Sequence, residues 1–173
     1  MKVAIVIPPT EFRDESLSYA SMMLGKWGID SVITSYSSKE CVGYHGAVVR
    51  PNMNAGRVNS ADFDAILLLD GPGVEISRLY DFRPLLDTVA FFNLSKKPVA
   101  AIGNAVKILA KANIISGTKI SLSKDRDSSN MVRLFRGIQS ENPVELDHNI
   151  LTAGRSEDIT EFIESLLSLL GAK

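Results

Sequence analysis

Apolar positions along this chain fall into short unbroken runs, separated by longer stretches in which they recur at helical spacing. Val3 to Ile7 is unbroken and rich in β-branched residues, as in a strand buried on both faces, and Pro8-Pro9-Thr10 ends it. Leu17, Ala20, Leu24 and Trp27 then predict an amphipathic helix, with Asp14 and Glu15 in its first turn and Gly28 after its last. Asp30 to Ser35 reads as a second strand, and Val42 to Arg50, with the Val58 region, as an extended excursion broken by Gly43, Gly46, Pro51 and Gly56. Asp64 to Leu69 is another buried strand, followed by Gly71-Pro72-Gly73 and helical spacing through Leu79, Phe82, Leu85, Leu86 and Val89. Pro98 to Ile102 repeats the rhythm and turns at Gly103-Asn104 into a helix carrying Val106, Ile108, Leu109 and Ala112. Lys119 to Leu122 reads as a further strand.

Strands alternating with helices predict an α/β fold, a doubly wound, flavodoxin-like, mostly parallel sheet with helices on both faces. Ser123 to Asn130 is polar throughout and reads as an exposed loop. Val144-Glu145-Leu146 and Ile150-Leu151-Thr152 flank Asp147-His148-Asn149 as a small β-hairpin. A final helix from about Glu157 places Ile159, Phe162, Ile163, Leu166, Leu167 and Leu170 on a broad apolar face. No repeat or linker interrupts the pattern, and 173 residues predict one domain over positions 1–173.

Composition narrows the class further. Hydrophobic residues make up 45% and charged residues 23%, which excludes disordered and collagen-like chains. Nineteen Lys and Arg against twenty Asp and Glu give a net charge of −1, so no footprint for nucleic acid or an anionic membrane is expected. No apolar run approaches the roughly 20 residues of a membrane span, and the N-terminal run is too short for a signal peptide. One cysteine, Cys41, forms no intramolecular disulfide and no multi-cysteine metal site, which fits a reducing compartment. A cytoplasmic protein without metal or cofactor is expected.

In open α/β sheets ligands bind outside the carboxyl ends of the strands, so the informative loops are residues 8–16, 70–74, 103–104, 122–128 and 153–157. The segment Val99 to Val106 has the strand, turn and helix of a nucleophile elbow, with Gly103 at its tip. Around it the sequence resembles the ThiJ/DJ-one/PfpI superfamily, a branch of the class I glutamine amidotransferase-like folds, nearly end to end. The family's usual elbow, Ala-Ile-Cys-His-Gly-Pro, follows Lys-Pro-Val-Ala. Here Lys97 to Ile102 matches, before Gly103 and Asn104 stand in place of Cys and His. Phe12-Arg13-Asp14, Tyr44-His45-Gly46, Asp64 to Leu69 and Asp147 to Thr152 extend the likeness.

The resemblance implies cysteine hydrolases, proteases, or glyoxalase and deglycase enzymes, which need the elbow thiolate and an acid from the first loop. Aligned from Phe12 that acid falls on Ser16, with Asp14 and Glu15 close by. The family's Pro-Gly-Gly turn falls on Asp70-Gly71-Pro72, where a proline has no N–H for an oxyanion, or, shifted by one residue, on Gly73.

Read as residues alone, each candidate has a second interpretation. Gly103 suits a turn at positive φ or a ligand contact, and Asn104 a helix cap or a ligand bond. Asp14 and Glu15 suit the helix dipole or general-base work; Gly71, Pro72 and Gly73 form a turn or an anion nest. Cys41 lies outside the elbow, His148 occupies the hairpin turn, and Lys124, Arg126, Arg133 and Arg136 belong to a solvated segment or cover the crevice.

Two classes of function follow. The first is a non-hydrolytic, small-molecule-binding or stress-related homodimer, whose self-association the resemblance implies and the apolar Tyr19, Met22 and Met23 support. The second is an enzyme of changed mechanism, hydrolase, amidase or glyoxalase-like, using Asp14, Glu15 or Ser16.

Overall fold

Alternation within single strands builds both faces of the core. In the computed structural model, which describes residues 1–172, β1 (Lys2–Val6) sends Val3 and Ile5 to one side and Ala4 and Val6 to the other, all of them fully buried. After β1 the chain forms β2 (Thr10–Phe12), α1 (Asp14–Lys26), β3 (Asp30–Ser35), β4 (Cys41–Gly43), β5 (Val48–Val49) and β6 (Met53–Asn54). β7 (Ala65–Leu68), a short α2 (Gly73–Ile76), α3 (Arg83–Leu94), β8 (Val99–Ile102) and α4 (Val106–Lys111) carry the middle of the chain. The last part holds β9 (Lys119–Ile120), α5 (Arg126–Leu134), β10 (Ile138–Gln139), β11 (Val144–Asp147), β12 (Ile150–Ala153) and α6 (Ile159–Leu169).

Seven strands form the central sheet in the order β11-β12-β8-β7-β1-β3-β6. All neighbours are parallel except β11 and β12, which pair antiparallel as the predicted hairpin. On one face Leu85, Val89 and Phe92 of α3 and Ile108 and Leu109 of α4 pack on Ala4, Val6, Ile66 and Leu68. On the other, Leu17, Ala20 and Leu24 of α1 and Phe162, Ile163 and Leu166 of α6 cover Val3, Ile5, Leu67 and Ile102. The α/β, mostly parallel, helix-covered sheet expected from the alternation is therefore the observed fold.

One expectation is corrected. Residues 126–130 of the expected exposed loop 123–130 are helical, opening α5: Asp125 caps it by accepting the Ser128 N–H at 2.8 Å, and Ser128 and Val132 are its buried residues. The polarity of the segment reflects one wet helix face, not irregular backbone. Residues 119–120 do form a strand, yet β9 pairs with β10 in a separate two-stranded sheet, outside the main one. The excursion around residues 42–50 becomes a second small sheet in the order β2-β4-β5. It brings the β4–β5 loop back onto the first turn of α1.

Candidate functional site

The elbow forms where β8 ends. Gly103 adopts φ +58°, a left-handed conformation that glycine accepts without steric cost, and the chain enters a 3-10 turn before α4. Facing it, β7 ends at Leu68, and the next loop brings Asp70 into the protein, 2% exposed. A burial cost this large is tolerated only with partners. Asp70 has three. Ser16 donates its hydroxyl to Oδ1 at 3.1 Å, Ser156 donates to Oδ2, and the Arg13 Nε stands 3.2 Å from Oδ2. The Arg13 Nε–H is not aligned for a hydrogen bond, so that contact is chiefly ionic, while the Arg13 backbone N–H donates to the Asp70 carbonyl at 3.0 Å.

Asp70 also fills the space above the elbow. A Cβ built on Gly103 would stand 2.7 Å from Asp70 Oδ2 and 2.8 Å from Asp70 Cβ. Asn104 is committed in the same direction: its Nδ2 donates to the Gly71 carbonyl at 2.8 Å, and its Oδ1 accepts the Gly71 N–H at 3.3 Å. It makes no helix-cap hydrogen bond, and with one N–H and one Oδ1 lone pair it forms a two-point lock between the elbow and the 71–73 turn. Gly71 and Gly73 press against the backbone of Glu11 and Thr10, where a Cβ would collide. This packing requires glycine at both positions whatever else the turn does.

The first-loop residues divide by role. Asp14 points away from the crevice and accepts the backbone N–H groups of His45 at 2.7 Å and Ala47 at 2.9 Å, fixing the β4–β5 loop. Desolvation raises its pKa, but those two N–H donors outweigh it, and the carboxyl lies below its usual range. Glu15 reaches the His45 ring, with Oε1 2.9 Å from Nε2, and both line a cavity of about 320 Å³ with Arg13, Tyr44 and Pro72. Ser16 is buried against Asp70.

The crevice itself, about 450 Å³, is lined by Arg13, Asp70, Pro72, Gly103, Asn104 and, from the loop before α6, Arg155, Ser156 and Glu157. It opens at the carboxyl ends of β7, β8 and β12, as the topology requires. Of the expected residues, Ser16, Gly71, Pro72, Gly103 and Asn104 converge around Asp70, whereas Asp14 and Gly73 serve packing nearby. Reasoning from sequence missed Asp70 as the central group, together with Ser156 and Glu157. The available signal was an aspartate ending the apolar run from Ala65 to Leu69 at the carboxyl end of a buried strand. Cys41 is buried on β4, and burial pushes its thiol pKa up, a hydrogen bond from Ser35 offsetting part of the shift.

A doubly wound sheet whose strand–turn–helix elbow faces a first-loop crevice defines the class of protein. Residues 1–169 match the DJ-1/PfpI family, and the chain belongs to it. It is 31% identical over 175 residues to protein/nucleic acid deglycase 2 of Escherichia coli, covering 99% of this chain and 98% of that one. A deglycase of Pyrococcus horikoshii is 31% identical over 119 residues, 69% of this chain and 70% of its own. An uncharacterized protein of Methanocaldococcus jannaschii is 29% identical over 152 residues, 88% of this chain and 74% of that protein. Among solved structures, a ThiJ/PfpI domain protein from Brachyspira murdochii superimposes with a TM-score of 0.91 at 21% identity, over 99% of this chain and 97% of that one. Among the described residues no helix is long and apolar enough to cross a membrane.

Proposed function

We propose that this member of the DJ-1/PfpI family binds a small molecule in the elbow crevice without covalent thiol chemistry, as a cytoplasmic homodimer. One observation carries the reading: the position above the elbow is filled by the Asp70 carboxylate, already bonded to Ser16, Arg13 and Ser156. A carboxylate held by a cation and two hydroxyls is a poor nucleophile, and no thiol or hydroxyl occupies the tip of the turn. The test is turnover of peptide, ester and glycated-amine substrates by the intact protein, alongside a metabolite-binding screen. Binding without turnover supports the reading, and turnover that survives Cys41→Ser but not Asp70→Asn overturns it. Met22, 59% exposed on α1, supports self-association, which light scattering at high micromolar concentration measures directly.

A second reading has its own observation. Glu15 and His45, 2.9 Å apart beside Arg13, have the geometry of a carboxylate-oriented imidazole able to take a proton from water or substrate. The relatives named deglycases lend this reading weight. Activity abolished by His45→Ala and retained in Asp70→Asn would establish it over the first.

A further inference from the structure

We infer that the elbow crevice takes a small zwitterion, a molecule carrying an ammonium and a carboxylate on one short skeleton. The inference rests on the binding reading above and deepens it through the charges on the walls. Arg13 turns its Nε toward Asp70 while its side chain stays 43% exposed, so its charge is balanced but donors remain on the crevice wall. Arg155 is likewise balanced: its Nε and one terminal nitrogen each lie 3.1 Å from an Asp158 oxygen. Glu157, exposed, forms no ion pair among the described residues and lines both the crevice and an adjoining cavity of about 130 Å³, as Arg13 does.

The walls therefore hold two neutralised pairs and one unbalanced carboxylate. A simple anion could take the Arg13 donors but would meet the uncompensated field of Glu157. A simple amine would satisfy Glu157 but leave the exposed Arg13 donors to water, gaining nothing from them. A zwitterion meets both demands, its ammonium on Glu157 and its carboxylate on Arg13. The volume of about 450 Å³ admits a free amino acid with bridging water. Asn104 already spends one N–H and one Oδ1 lone pair on Gly71, and the preference for a zwitterion does not depend on it.

The experiment measures binding of glycine, β-alanine and γ-aminobutyrate against propionate and ethylamine, by saturation-transfer NMR and calorimetry on the full chain. One of the zwitterions should bind about tenfold or more tightly than either singly charged compound, each tenfold being 1.4 kcal/mol. Glu157→Gln, at an exposed position, should erase the preference over propionate, and Arg13→Lys should weaken zwitterion and propionate together, since the planar fork is lost. Equal or better binding of propionate or ethylamine overturns the zwitterion while leaving a small-molecule site standing. Failure of all five compounds, with a neutral polar compound bound instead, also overturns it. Failure of every compound together with catalytic turnover removes the binding reading itself.

Discussion

Asp70 and Gly103 exclude one another's side chains. The Asp70 carboxylate and Cβ lie 2.7 and 2.8 Å from the point where a Cβ on residue 103 would be. Both positions sit at carboxyl ends of adjacent parallel strands, β7 and β8, whose register pairs Leu68 with Ala101 and leads each chain directly to its residue. The glycine at the elbow and the aspartate across from it are thus one feature. A side chain at residue 103 would have to share the space that Asp70 already fills.

Gly103→Cys is accordingly expected to destabilise the protein, through a left-handed residue costing about 1–2 kcal/mol and overpacking costing about 1–3 kcal/mol. Asp70→Ala would not relieve the clash, since its Cβ is itself in the way, whereas Asp70→Gly clears the space. Thermal unfolding of the two single variants and the double variant, all on a Cys41→Ser background, should show a favourable coupling of about 0.5–3 kcal/mol. The thiol in the double variant should also react faster with a disulfide reagent than in Gly103→Cys alone. Additive stabilities would show that the two side chains do not compete.

Asp14 links acid stability to the β4–β5 loop. Its folded-state pKa is lowered, the desolvation cost being outweighed by the His45 and Ala47 N–H groups. The native state therefore binds fewer protons than the unfolded chain, and the stabilisation is complete above the ordinary value of 3.8 and lost as pH falls through the lower folded value. Asp14→Asn should flatten the acid limb of a stability–pH curve. It should also speed amide exchange at His45 and Ala47 at neutral pH, and unchanged exchange at both would mean that the loop is held by other contacts.

Cys41 is 1% exposed, and burial raises its pKa, so little thiolate is present at neutral pH. In the native protein its reaction with a thiol reagent should be about tenfold or more slower than in denaturant, limited by local opening. Rapid stoichiometric labelling of the folded chain would contradict this.

The fold was legible because buried parallel strands leave unbroken β-branched runs, and Val3 to Ile7, Asp64 to Leu69 and Pro98 to Ile102 all appear as strands at the expected places. Helix α5 was not, since Arg126 to Asn130 carries no apolar residue and only Val132 and Ser128 are fully buried; the sign to read was Asp125 as its cap. The positions of Gly103 at the elbow and Ser16 in the first loop were legible, and the structure puts both beside Asp70. Asp70 was not, because its meaning depends on three partners, Arg13, Ser16 and Ser156, of which Ser156 is 86 residues away in the chain. Long-range polar convergence leaves no local period to detect.

Asn104 offers a decision between architecture and ligand contact. Its amide makes two hydrogen bonds with the Gly71 backbone, tying the elbow to the turn that carries Asp70. Asn104→Ala removes both, at about 0.5–1.5 kcal/mol each, and leaves the Gly71 N–H and carbonyl to find water. The variant should lose about 1–3 kcal/mol by urea unfolding, with faster amide exchange at Gly71. Affinity for a crevice ligand should fall only as far as Asp70 and Arg13 lose their placement. Asn104→Asp keeps an acceptor for the Gly71 N–H but sets a carboxylate oxygen against the Gly71 carbonyl, so it should be no more stable than Asn104→Ala. A large loss of affinity with unfolding and Gly71 exchange unchanged would show that Asn104 meets the ligand, and that the lock is not what holds the turn.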